Sequence, residues 1–414
     1  MKRIVICLDG TWNQVRDPGL VTNVVRIAQA IKPCASDGHT QICYYNSGVG
    51  TGDLIDRILG GLFGRGIRSN VKRAYAFLSL NYEPGDEIYI FGFSRGAYTA
   101  RALAGLIGAA GVLKKEHFEL FDVAWSHYRT APGKRSPDAA PPPENIHAKA
   151  NIRCVGVWDT VGSYGIPAGF GLGGLTRYLT SWQRGFHDTH FSDHIDIGLH
   201  ALGIDERRRP FSPTFWTTPH GRTATTTPGL GQNVCEQVWF CGVHSNVGGG
   251  YKDSRLAQLP LLWMVGRVIE QGTTHFASTL DFDINYLRDQ TTKASSLGTL
   301  YRSAFGWPVS TVWPFIRPVL PRDWKRCAQW DDARNGDTPI DGRVHWSVQL
   351  RWHQSAPVKG KGDVRYMPKN LASDESIPFT SRTPIEEQLL PDDLLKNAAA
   401  AGILPSLGGG IAAV

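Results

Sequence analysis

The sequence predicts an α/β fold, a mostly parallel sheet covered by helices on both faces. Two observations carry this reading. Several β-prone runs, such as EIYIFGF (Glu87 to Phe93) and IRCVGVWD (Ile152 to Asp159), are nearly continuous in apolar residues rather than alternating. That is the pattern of strands buried on both faces. The runs also alternate with segments of helical spacing, which implies crossover connections and parallel pairing. A chain of 414 residues, 42% hydrophobic, is long enough to bury a sizeable core without disulfide staples.

Arg3 to Leu8 is the first expected strand, ending in the turn-rich DGTWN. Leu20 to Ile31 places Leu20, Val24, Ile27, Ala28 and Ile31 on one helical face, and Pro33 follows as a stop. Gln41 to Asn46 reads as a second strand, followed by Gly48, Gly50 and Gly52. Val71 to Leu80 reads as helix, Glu83 to Asp86 (EPGD) as a turn, and Glu87 to Phe93 as a strand. AYTARALAGLIG then opens a helix, and Lys114 to Tyr128 is expected to continue it. Ala131 to Glu144 is a Pro-rich exposed loop. Asn151 to Asp159 is a strand, Val161 to Ser192 is loop-like, Ile195 to Arg208 is expected to be helix and Val234 to Val243 strand. Leu261 to Ile269 is helical, and beyond about residue 290 periodicity weakens. The expected organisation is a catalytic domain over 1–290, with a cap-like insertion near 161–194, and an aromatic and Pro-rich C-terminal extension over 291–414 packing on it.

Composition removes several classes. Seven scattered cysteines with no CxxC pair make a poor disulfide framework. The apolar run before Asp9 is too short for a secretory h-region, and Ala102 to Leu113 is too short to span a bilayer. A cytoplasmic chain is therefore expected, with export by a non-classical route left open. The net charge of +7 sits in short clusters, including Arg65, Arg68, Lys72 and Arg73, Arg207 to Arg209, and Arg322, Lys325 and Arg326. No zinc-finger spacing or RNA-binding aromatic signature accompanies them, so no nucleic-acid partner is expected.

The chemistry centres on Gly92-Phe93-Ser94-Arg95-Gly96, a GxSxG. The bare pattern is weak, but its context is a buried strand leading directly into a helix. That is the setting of a nucleophilic serine on a sharp turn, with triad partners following in the order Ser, Asp/Glu, His. His244, in VWFCGVHSNVGGGY, follows an apolar strand and precedes a Gly-rich loop. Asp159, in IRCVGVWDTVGS, ends another strand. Strand-end placement puts Ser94, Asp159 and His244 on one rim of the sheet, where open α/β folds bind ligands. Asp205, in HALGIDERRRP, is the alternative acid, although its helix-like setting beside three arginines suggests a surface ion pair. His187 and His200 are weaker candidates for the base. The backbone N–H of Arg95 and that of Gly10 or Thr11 are the expected oxyanion-hole donors.

Other signals weigh less. Gly169 to Gly174 matches GxGxxG, but it follows a Pro-containing loop rather than a strand, so dinucleotide binding is not supported. Cys235, Cys241 and His244 have a spacing that fits no structural zinc pattern. Neither a cofactor nor a metal is expected.

Seven motifs in order, LDGTWN, YYNSGVGT, GFSRGAYTAR, GVWDTVG, FHDT, HALGIDERR and WFCGVHSNVGGGY, resemble the catalytic domain of bacterial type VI secretion lipase effectors of the first lipase-effector family and its relatives. The resemblance runs from about residue 3 to 251. It implies an α/β-hydrolase with a Ser-Asp-His triad on Ser94, Asp159 and His244, and phospholipase activity in some members. The family usually has Asp where Asn246 stands, and the large extra domains of the delivered effectors are not expected within these 414 residues. The expected activity is acyl-ester hydrolysis of lipid or phospholipid through an acyl-enzyme. A small-ester carboxylesterase and a catalytically silent binding protein are the alternatives. Tyr164, Phe170, Tyr178, Trp182 and Phe186, with Phe305, Trp307, Trp313 and Phe315, could line an acyl pocket or a lip touching an anionic membrane surface.

Overall fold

The computed structural model describes residues 1–10, 20–48, 63–147, 150–161, 191–208, 211–218, 233–302, 317, 319, 338–340, 342–352, 354–371 and 377–403. Thr11, His187, the Gly169–Gly174 run and the aromatic positions expected to form a cap or lip lie outside the described residues.

A seven-stranded sheet forms the centre. Its strands are β1 (Lys2–Leu8), β2 (Thr40–Asn46), β3 (Glu87–Phe93), β4 (Ile152–Trp158), β5 (Ile195–Gly203), β6 (Val234–Phe240) and β7 (Gly342–Val344). They lie in the spatial order β2-β1-β3-β4-β5-β6-β7, and every pairing is parallel. The chain reverses its direction of travel between β1 and β3, which makes their carboxyl ends the crevice where such sheets bind ligands.

Side chains alternate across the sheet into two cores. Ile4, Ile6, Leu8, Ile88, Ile90, Val155 and Val157 pack against α2 (Phe63–Asn81), α3 (Arg95–Ala110) and α4 (Phe121–Arg129). Val5, Cys7, Tyr89, Phe91, Trp158, Leu199 and Phe240 face α1 (Asn23–Ala30) and a long apolar helix that follows a short one. The short helix is α5 (His244–Gly248) and the long one α6 (Arg255–Gln271). Next come α7 (Ile284–Thr291), α8 (Trp346–Arg351), the hairpin β8 (Ser355–Val358) and β9 (Gly362–Arg365), α9 (Pro384–Leu389) and α10 (Asp392–Ala400).

Residues beyond 290 do more than pack on the outside. They supply β7, and Leu389, Leu390, Leu394 and Ala398 enter the same core as the central strands. Among the described residues, no helix is long and apolar enough to cross a membrane.

Two expected helices differ. Ile195 to Gly203 is strand, not helix: Ile195, Ile197, Leu199 and Ala201 pair along β4 while β6 flanks the other side. A central strand must be apolar on both faces, so its spacing imitates a helix. The helix expected over Lys114–Tyr128 is interrupted as well. Gly111, at φ 71°, ends α3; Val112–Leu113 pairs with Ile146–His147, and a 3-10 segment precedes α4.

Candidate functional site

The turn between β3 and α3 is built by its glycines. A Cβ on Gly96 would lie 2.0 Å from the Leu8 carbonyl oxygen, and one on Gly92 would lie 2.6 Å from that of Gly96. Only glycine lets strand and helix approach this closely. Ser94 between them has φ 58° and ψ −120°, a backbone costing about 1–3 kcal/mol that persists only when its surroundings enforce it. Its amide donates to the Trp158 carbonyl oxygen at 3.2 Å, which ties the turn to the end of β4. Arg95 opens α3, so its N–H belongs to the first turn, where helix amides have no intrahelical acceptor. Burial lowers the Arg95 guanidinium to about 10, and its Nη2 has no partner among the described residues.

Asp159 follows β4 with φ 41° and a fully buried side chain. Its Oδ2 accepts from His244 Nδ1 at 2.6 Å, and its Oδ1 accepts from the Gly203 amide at 3.0 Å. His244 begins α5 rather than standing on an open loop, and its amide donates to Glu206 Oε2 at 3.3 Å. The imidazole is held between Phe93, 4.6 Å between centroids, and Phe211, 4.9 Å and edge-on. With Nδ1 bound to Asp159, the buried Nε2 is left without a partner among the described residues. Phe93 precedes Ser94, so the ring sits against the turn that carries the serine.

A fourth side chain completes this arrangement. Arg317, fully buried, donates from Nη1 to Asp159 Oδ1 at 2.5 Å and from Nη2 to Oδ2 at 3.0 Å. The same guanidinium donates to the carbonyl oxygens of Gly203 (2.7 Å) and Phe211 (2.5 Å). Burial alone would raise the Asp159 carboxyl. The Arg317 charge and the His244 bond outweigh it and hold the group well below the usual carboxylate range.

The remaining sequence candidates separate. Asp205 is not a surface ion pair; it follows a strand, and its Oδ2 accepts from the Gly242 amide (2.8 Å) and the Tyr366 hydroxyl (3.0 Å). His200 is locked inside the sheet: Nε2 accepts from the Thr160 amide at 3.1 Å, and Nδ1 meets Gln237 Oε1 at 3.3 Å. Burial first, then the Arg101 charge, push His200 down to about 3. The Gly10 amide donates to Asp9 Oδ1 at 2.7 Å, and Gly10 packs on the Ser94 Cβ. Among the described residues, no group of three His, Cys, Asp or Glu is placed to hold a metal ion.

One family description, "T6SS, Phospholipase effector Tle1-like, catalytic domain", matches residues 2–267. The chain belongs to this family. A Saccharomyces cerevisiae relative described as uncharacterized is 29% identical over 240 residues, covering 52% of this chain and 33% of that protein. A crystal structure of an uncharacterized protein from Pseudomonas aeruginosa aligns at TM-score 0.38 and 17% identity, covering 69% of this chain and 47% of that one. A structure of the Tle1 effector bound to the VgrG spike aligns at TM-score 0.33 and 15% identity, covering 61% and 51%. The chain thus spans about a third of its curated relative and about half of these solved chains.

The Tle1-like match contains Ser94, Asp159 and His244 but ends before Arg317, which sequence reasoning missed. Arg317 lies 158 residues from Asp159, in a stretch without periodicity, and nothing local marks it. Asp9 was also missed. Its Oδ2 accepts from the hydroxyls of Thr22 (2.6 Å) and Tyr45 (2.9 Å), so it joins the ends of β1 and β2 beside the serine turn. Its LDG position after an apolar run was the available signal. Asn246 straps the His244 helix to the following segment: Oδ1 accepts from the Val243 and Tyr301 amides, and Nδ2 donates to the Thr299 carbonyl oxygen. An Asp there could not make the last bond.

Proposed function

We propose that this chain is a serine hydrolase of acyl esters, with lipid or phospholipid as its substrate class. Ser94 is the nucleophile, His244 the general base and Asp159 the orienting acid. The observation carrying this reading is the buried 2.6 Å His244–Asp159 bond, which leaves Nε2 unpartnered among the described residues, in a ring resting on the residue before Ser94.

The steps follow from the groups. Ser94 Oγ attacks the ester carbonyl carbon while His244 Nε2 takes the hydroxyl proton. The tetrahedral intermediate collapses, its alkoxide leaves with the proton from the imidazolium, and an acyl-enzyme remains. Water, deprotonated by the same nitrogen, then releases the acid. Asp159 fixes the proton on Nδ1 and stabilises the imidazolium without taking the proton itself. The Arg95 N–H, at the head of α3, is the first oxyanion donor. Because the Gly10 amide is engaged by Asp9, Thr11 is the better candidate for the second. One such donor is worth about 3–4 kcal/mol of transition-state stabilisation.

Membership of a phospholipase effector family supports the lipid class. Hydrolysis of p-nitrophenyl esters from acetate to palmitate, by wild type and Ser94→Ala, tests both parts. The expected result is a preference for long chains that disappears with the serine. Equal activity in the two proteins ends the catalytic reading, and a sharp preference for acetate ends the lipid one.

A further inference from the structure

Away from Ser94, a cavity of about 250 Å³ opens between Leu300–Arg302 and the β8–β9 hairpin. Among the described residues, Arg207, Arg302, Arg351, Lys361 and Arg365 line it together with the Asp205 carboxylate. Asp205 is a weak counter-charge, because burial pushes its carboxyl up and its Oδ2 already accepts from Gly242 and Tyr366. Arg351 is fully buried, with Nη1 donating to the carbonyl oxygens of Ser296 and Gly298 at 2.7 Å each. Its Nε and Nη2 have no acceptor among the described residues. A buried guanidinium with unmet donors is unfavourable unless an anion shares its site. Its planar fork matches a phosphate, and the surrounding cations favour the same charge.

The rim indicates where that phosphate comes from. Val364 and Met367 are 38% and 48% exposed, two of the six exposed large hydrophobics among the described residues. They lie beside exposed Lys361, Arg365 and Lys369, on β9 and the segment that follows it. A free phosphate needs no apolar rim, whereas a headgroup in a bilayer brings one to meet Val364 and Met367.

We propose that this cavity binds the phosphate of an anionic lipid and that the β8–β9 hairpin is a membrane-docking edge. The cavity also adjoins the segment carrying His244. Asp205 binds the Gly242 amide on one side of that histidine, and the Tyr301 amide donates to Asn246 on the other. Docking here therefore holds the His244 segment close to the bilayer. The proposal rests on the lipid-hydrolase reading for its purpose, not for the binding itself.

The test is sedimentation of the 414-residue Ser94→Ala chain, from which the proposed nucleophile is removed, with two vesicle preparations. One is phosphatidylcholine and the other phosphatidylcholine with phosphatidylglycerol. Binding is expected on the anionic vesicles, at least tenfold above the neutral ones and weakening with salt. Each basic residue near an anionic surface is worth about fivefold, so Lys361→Gln with Arg365→Gln should lower binding about 25-fold. Val364→Ser with Met367→Ser should weaken it as well. All four positions are exposed, so the variants should keep the wild-type thermal midpoint. Unchanged binding in both pairs overturns the site. A midpoint raised by inorganic phosphate without vesicle binding overturns the lipid assignment. Failure of the catalytic reading shows separately, as absence of serine-probe labelling in the wild-type protein while vesicle binding persists.

Discussion

Replacing Arg317 by Gln tests how the Asp159 carboxylate is kept ionised. The substitution leaves a donor in place but removes the charge and one of the two contacts to Asp159. The carboxylate would then be buried with the Gly203 amide, His244 and one neutral amide as partners, and without the guanidinium charge. Removing one member of a buried ion pair costs about 3–5 kcal/mol, much of it the penalty of leaving the other charge unpaired. For a chain of 414 residues that is a fall of roughly 3 to 6 °C in thermal midpoint. Arg317→Lys keeps the charge but loses the fork, and should cost less. A cycle with Asp159→Asn isolates the cause. If the penalty is an orphaned carboxylate, Arg317→Gln should cost at least 2 kcal/mol less in the Asp159→Asn background. The pH dependence has a definite sign. Wild-type Asp159 is depressed, so its contribution is full above the unfolded carboxyl value of about 3.9 and is lost progressively as the pH falls from there toward the lower folded value. Without Arg317 its carboxyl rises, and ester hydrolysis should fail at a higher pH on the acid side. Additive effects in the cycle, or a wild-type midpoint in Arg317→Gln, would refute the reasoning.

Other predictions are independent of Arg317. Asp159→Asn should lower kcat about 10⁴-fold, because the imidazole loses its orienting partner, whereas Asp205→Asn should stay within a few-fold in the same ester assay. Gly96→Ala should fail to yield folded protein, since its Cβ would meet the Leu8 carbonyl oxygen at 2.0 Å; soluble protein with a native midpoint would contradict this. His200 is pushed down to about 3, so the unfolded chain binds the extra proton between that value and about 6.5. Stability should then be full above pH 6.5 and fall by about 1.4 kcal/mol per pH unit below it. Denaturant titrations at several pH values should show that slope, and His200→Gln should delay it to carboxylate pH. Asn246→Asp should lose about 1–3 kcal/mol, because the Thr299 carbonyl oxygen loses its donor and faces a carboxylate.

What the sequence revealed depended on how local each signal was. The Ser94 turn is contained in five residues, and its glycines report the close approach of strand and helix directly. Asp159 and His244 were legible because each follows an apolar strand. Their contact spans 85 residues yet follows from parallel strands that end on one rim. The β5 strand misled because a strand buried on both faces has no alternation to display. Asp205 misled for a related reason: the arginines beside it suggest a surface, while the fold places its carboxylate on the Gly242 amide and the Tyr366 hydroxyl. Arg317 was invisible because its partners, Asp159, Gly203 and Phe211, come together only once the sheet has formed. The positive charge behaves likewise. Arg207, Arg351 and Arg365 are scattered along the chain and meet in one cavity only in the fold.

The most direct test of the central claim is labelling of the intact chain with a fluorophosphonate probe, followed by mapping of the modified peptide. The serine must be activated to react, so the reading predicts one adduct, on Ser94, abolished in Ser94→Ala and strongly slowed in His244→Ala. A native protein that takes up no probe, or takes it up on another serine, would contradict it.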